Sequence, residues 1–146
     1  MSHVATVDIE IKDLDALETA CKRLGLELMR DQTTYKWYGH SVGDYPLPEG
    51  FTAEDLGNCE HAIRVPHNEM AYEVGVVRRR DGKPGWQLMW DFWNRGYGLQ
   101  GLVGDNCSKL KQMYATQVAT KAARMQGFNV NERVLANGSI QLALTR

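Results

Sequence analysis

Cys59, His61 and His67 lie close together in CEHAIRVPH and form the one tight group of metal-ligating side chains in the sequence. On an extended strand Cys59 and His61 share a face. A structural zinc site needs four ligands, usually two dyads, and no second Cys or His dyad follows at that spacing. The group is read as one buried thiol with two surface or loop histidines, and no metal or other cofactor is expected. Cys107 is the other candidate for chemistry: it follows Asp105 and Asn106 near the start of a predicted helix, where the positive end of the dipole favours a thiolate. Nucleophilic catalysis also needs a base, and none is placed beside it by the sequence. Glu49, Glu54, Asp55 and Glu60 cluster in or beside a loop, where solvated carboxylates have nothing to separate them into acid and base. GxSxG, HExxH and GxxxxGK[ST] are absent. No residue set supports a catalytic assignment.

VVRRRDGKPGWQLMWDFW, residues 76–93, sets Arg78, Arg79, Arg80 and Lys83 beside four large aromatic and aliphatic side chains at period two: Trp86, Leu88, Trp90 and Phe92. A strand points all four at one sheet face. Asp81-Gly82 and Pro84-Gly85 are turn signals, so the cations sit on a hairpin tip that water solvates. The same residues have a second reading, in which the cations contact phosphates of a nucleic acid or nucleotide while the rings stack on bases. That use requires the tryptophans outside, whereas burial of large rings drives folding.

Those groups must be held by a small chain. Its 146 residues, 43% of them hydrophobic, suit a single α+β domain spanning 1–146. Seventeen basic and 18 acidic side chains leave a formal charge of −1, so no global field attracts a polyanion or an anionic membrane. The opening MSHVATVDIEIKDLD has no targeting pattern, and no segment approaches the ~18 apolar residues of a membrane span. Three scattered cysteines without a CxxC fit reduced thiols. A cytoplasmic or equivalent intracellular protein is expected.

The element order follows from pattern. A β-type run opens the chain, then KDLDALETACKRLG reads as a helix with Leu14, Leu17, Cys21 and Leu24 on its apolar stripe, Asp13 as N-cap and Gly25 as stop. LELMRDQTTYKWYG reads as a strand or short hairpin. Residues 40–58 form a long loop in which Pro46 and Pro48 bracket Leu47. Three strands follow in CEHAIRVPH, residues 71–77 and residues 86–93. A second long helix carries Leu110, Met113, Tyr114, Val118, Ala122 and Met125 as its stripe and ends at Gly127. Asn137-Gly138 turns a final hairpin; an ideal two-residue turn would set Arg133 beside Leu142, so a bulge or wider loop is expected there. The order is β-α-β-β-β-β-α-β-β, a mainly antiparallel sheet with two principal helices on one face.

Read in order, MSHVATVDIEIKDLDAL, AYEVGVV, the W-x-L-x-x-D-x-W of WQLMWDFW, KLKQMYA, QGFNV and NGSIQL resemble the Ycf35 or DUF1257 family. The resemblance implies an α+β fold and an intracellular home, and it carries no catalytic residues. Residues 40–59 and the RRRDGKPG tip look expanded relative to the family pattern. With no chemistry in view, the expected role is a non-enzymatic binding or adaptor protein that contacts a protein partner through the long loop, with Tyr45, Leu47 and Phe51 as anchors. Deletion of residues 43–52 is expected to remove binding and leave the domain folded. Nucleic-acid or nucleotide-phosphate binding by the tip at 78–83 is the alternative. An exposed strand edge would also permit a homo-oligomer by sheet extension.

Overall fold

The computed structural model describes residues 1–146. Its frame is a five-stranded, wholly antiparallel sheet made of β1 (Val4–Ile11), β2 (Glu27–Arg30), β3 (His61–Arg64), β4 (Val74–Arg78) and β5 (Trp86–Asp91) in the order β1-β5-β4-β3-β2. Strands β2 to β5 form a meander. The opening strand β1 closes the far edge against β5, so α1 (Leu14–Arg23) carries the chain across the sheet from one edge to the other. Asp13 caps α1 by accepting the Ala16 N–H at 3.0 Å, and Gly25, at φ +76°, lets Leu26 N–H return to the Cys21 carbonyl. Both signals act as the sequence predicts.

A short helix α2 (Leu99–Val103) and the long α3 (Ser108–Met125) join α1 on one face of the sheet. Leu88 and Trp90 from β5, Val74 and Val76 from β4, Ile63 from β3 and Val7 and Ile11 from β1 point at these helices, with Trp86 and Phe92 packed around them. The period-two reading of β5 is therefore correct, and this is the main core. Leu17 and Cys21 of α1 and Leu110 and Tyr114 of α3 complete it. The stripe expected on α3 fails at its far end, because Val118 and Met125 are exposed while Thr116, Thr120 and Ala123 are buried. Helix α3 packs on α1, β6 (Asn129–Val134) and β7 (Ile140–Thr145), so it buries parts of more than one face and no single 3.6-residue stripe describes it.

The opposite face of the sheet is also covered. Tyr35, Phe51 and Leu56 pack with Val4, Ala62, Val77 and Met89, and Trp37 and Cys59 border them. Residues 31–59 thus form an irregular third layer. Gly75 makes the close approach possible: a Cβ there would sit 2.4 Å from the Tyr35 ring. Strands β6 and β7 form a separate two-stranded sheet. Gly138 N–H reaches the Leu135 carbonyl and Leu135 N–H the Ser139 carbonyl, a three-residue loop with Gly138 at φ +85°. The wider loop expected from the sequence is present: it moves Arg133 to Gln141, pairs Val134 with Ile140 and Val130 with Leu144, and leaves Glu132 opposite Leu142. No helix is long and apolar enough to cross a membrane.

Candidate functional site

Three cations of the arginine tip, Arg78, Arg80 and Lys83, stay exposed as a solvated hairpin end requires, but Arg79 is built into the fold. The β1–β5 ladder is interrupted between Val7 and Ile11, and Arg79 reaches into that gap. Its Nη1 donates to the Ile9 carbonyl at 2.5 Å, and its Nη2 contacts Asp8 at 2.9 Å and Asp81 at 2.6 Å, with the side chain only 3% exposed. Gly85 lets the hairpin lie on β1, since a Cβ there would stand 2.4 Å from the Ile11 carbonyl oxygen. Arg78 pairs with Glu60 at 3.0 Å and lies over Trp86; Arg80 pairs with Asp55 at 2.8 Å and lies over Phe51. Each guanidinium is already matched to a carboxylate, and among the four tip cations Lys83 alone has no carboxylate within 4.0 Å.

These pairs set an acid response. Arg80 hydrogen bonding holds Asp55 at about 2, and Arg79 does the same for Asp81. A carboxylate whose folded pKa is depressed stabilises the fold fully above its unfolded value and loses that contribution as pH falls through the folded one. Stability should therefore decline between pH about 4 and about 2. Arg80→Met should lower the urea midpoint modestly at pH 7 and flatten this decline, the gap between the two chains narrowing toward pH about 2. Parallel curves at all pH values would contradict the pairing.

The thiol and imidazole candidates do not assemble. Cys59 lies under the third layer, its Sγ donating to the Gln32 carbonyl at 3.2 Å, whereas His61 turns to the helix side and meets Trp86 edge-on. The strand begins at His61, so the shared face expected of Cys59 and His61 does not exist. His61 Nδ1 accepts the Asp31 N–H at 2.9 Å, and His67 borders an open hollow of about 470 Å³ with Lys36, Arg64 and Glu73. No group of three His, Cys, Asp or Glu side chains is placed to hold a metal. Cys107 does precede α3, but it is fully buried, and burial pushes its thiol up to about 12. Gly96, Gly98 and Gly101 have the G-x-G-x-x-G spacing of dinucleotide loops. Here the preceding strand belongs to an antiparallel sheet and the following helix has five residues, so no βαβ phosphate cradle is formed.

The most organised polar feature is Asp91 at the end of β5, which the sequence signals only as the acid of W-x-L-x-x-D-x-W. Its carboxylate is fully buried and accepts three backbone N–H groups: His3 and Trp93 at 3.0 Å on Oδ1, and Tyr38 at 3.2 Å on Oδ2. One side chain thereby ties the amino-terminal strand, the third layer and the exit from β5. The chain leaves β5 through a left-handed turn, with Asn94, Arg95, Gly96 and Tyr97 at φ from 49° to 63°. Non-glycine residues adopt this conformation at a cost of roughly 1–2 kcal/mol each. The Gly96 carbonyl accepts the Tyr72 N–H, and Tyr97 packs edge-on against Tyr72 at 5.0 Å. Burial pushes the Tyr72 hydroxyl up to about 12, with the charge of Asp91 and the neighbouring Tyr97 and Tyr38 adding to it.

Around this hub the aromatic groups emerge at the surface. His3 stacks on Tyr45 at 5.0 Å, meets Trp93 edge-on at 4.9 Å and contacts Asp44 at 3.1 Å through Nε2. Tyr45 also meets Phe92 edge-on at 5.2 Å. Tyr38, Tyr45, Leu47 and Tyr97 each remain about two-fifths exposed. Of the three anchors expected from the sequence, Tyr45 and Leu47 are at the surface. Phe51 is not: it is 7% exposed and belongs to the second core, so deletion of 43–52 would remove a core residue. Tyr38 and Tyr97 carry no sequence signal as site residues, because their placement depends on the Asp91 contact to the Tyr38 N–H and on the left-handed turn.

The chain is 31% identical over 150 residues, covering all of it and 98% of the relative, to the uncharacterized protein ycf35 of Guillardia theta. No solved structure matches it. Residues 48–143 match the model of DUF1257, described as a protein of unknown function, a span that includes the arginine tip and Asp91. The chain belongs to the DUF1257 family.

Proposed function

We propose that this protein is a non-catalytic binding or adaptor protein, acting inside the cell, whose contact surface is the aromatic rim around Asp91. The observation that carries this reading is the set of half-exposed tyrosines: Tyr38, whose N–H is held by the buried Asp91 carboxylate, Tyr45, packed edge-on against Phe92, and Tyr97, packed edge-on against Tyr72. Tyrosine supplies a large contact area and a polar tip at low entropic cost, and protein interfaces are enriched in it. Leu47, two residues after Tyr45, adds an exposed apolar side chain. The backbone groups of Tyr38 and the neighbours of Tyr97 are pinned, so little ordering remains to be done on binding.

The test is affinity capture from the native cell with the wild-type chain and with Tyr38→Ala/Tyr45→Ala/Tyr97→Ala, each with and without nuclease. A stoichiometric protein held by the wild type, resistant to nuclease and weakened at least ~10-fold by the triple substitution is expected. Retention unchanged in a variant whose circular dichroism and urea midpoint match the wild type would remove the rim from consideration. Binding that disappears with nuclease would instead implicate a nucleic acid.

A further inference from the structure

The β6–β7 hairpin leaves two strand edges without backbone partners. The Leu135 N–H to Ser139 carbonyl bond sets the alternation of the ladder. Gln141, Ala143 and Thr145 therefore bond inward to β6, and the N–H and C=O groups of Ile140, Leu142 and Leu144 face outward along β7.

The other edge strands are guarded against pairing. β1 carries Asp8 and Glu10 and has Arg79 on its Ile9 carbonyl; β2 has four residues, two of them Glu27 and Arg30; β6 carries Glu132 and Arg133. Charge, shortness and interruption are the usual protections of an exposed edge. β7, Ile-Gln-Leu-Ala-Leu-Thr, has no charge, no proline and no bulge, and its Leu144 is 46% exposed.

We propose that β7 is a homodimer interface, pairing antiparallel with β7 of a second copy so that two hairpins become one four-stranded sheet. A two-fold axis brings a strand against itself, and a charged strand would then place like charges within a few ångströms. β7 alone among the edges avoids this. Centred on Leu142, the pairing sets Leu142 against its own copy and Ile140 against Leu144, with about six main-chain hydrogen bonds. Gln141 then stands opposite Ala143 of the second copy on the outer face, and Arg146, held over Phe128 at 4.3 Å, meets no like charge. The pairing also covers Leu144 and lends the hairpin the additional strands that an isolated two-stranded sheet lacks.

The pairing is tested by sedimentation of the full chain at concentrations on the order of 1–100 μM. The wild type should sediment as a dimer of its 16.5 kDa chain at the upper end. Gln141→Glu/Ala143→Glu sets like charges opposite each other twice and should weaken dimerisation at least ~10-fold. Gln141→Glu/Ala143→Lys sets opposite charges there and should keep the dimer. Both positions are exposed, and both variants place the same glutamate opposite Arg133, so that contact is common to the two. A monomeric wild type, or a dimer that responds alike to both variants, overturns the proposal.

Discussion

Asp91→Ala should lose roughly 3–5 kcal/mol of unfolding free energy, measured by urea denaturation at pH 7, because each part-buried N–H left without an acceptor costs about 1–3 kcal/mol. The three donors, from His3, Tyr38 and Trp93, have no substitute acceptor on the methyl group that remains. Asp91→Asn should lie between, at roughly 1–3 kcal/mol: one amide oxygen can serve part of the set, but its NH₂ group then faces a donor. The ordering wild type, Asn, Ala is the informative result. A wild-type midpoint for Asp91→Ala would show that these contacts contribute little, and the rim would then lack the rigid base on which its proposed role depends. Because the same carboxylate fixes Tyr38 and the turn leading to Tyr97, the Ala variant should also lose partner capture.

Gly75→Ala should be the second costly change, roughly 2–3 kcal/mol at the upper end of what overpacking produces. Its new Cβ would lie 2.4 and 2.7 Å from two ring carbons of Tyr35 and 3.2 Å from Cys59 Cβ. Tyr35 is only 3% exposed, so the ring can give way only by lifting the third layer from β4 and opening the second core. The diagnostic is a double-mutant cycle: with Tyr35 already replaced by Ala, Gly75→Ala should cost much less than in the wild type. Full additivity would place the strain elsewhere. Loss of this layer would also release Phe51 and the Asp55–Arg80 pair, coupling the sheet face to the hairpin tip.

Much of the frame is legible without coordinates. Trp86, Leu88, Trp90 and Phe92 declare their common face, Asp13 and Gly25 bound the first helix, and the awkward position of Arg133 already implies a wider turn at Gly138. The family motifs agree with them. These features were readable because period, capping and turn geometry are properties of residues a few positions apart.

What lay beyond the sequence depends on partners far along the chain. Asp91 gains its acceptor role from His3, 88 positions away, and Tyr38, 53 positions away. Arg79 is buried because the ladder of β1, some 70 positions earlier, breaks where its guanidinium can enter. Phe51 reads as a loop anchor until the sheet is found to have a second apolar face that residues 31–59 must cover. Local pattern determined most of the strands, the two longer helices and which side of β5 faces the helices, but not that the strand or hairpin expected over residues 26–39 stops at Arg30 or that Leu99–Val103 turns into a short helix. Tertiary packing alone decided which charges were neutralised, which aromatic rings stayed at the surface and which strand edge was left open, since these follow from the meeting of segments that no local rule brings together.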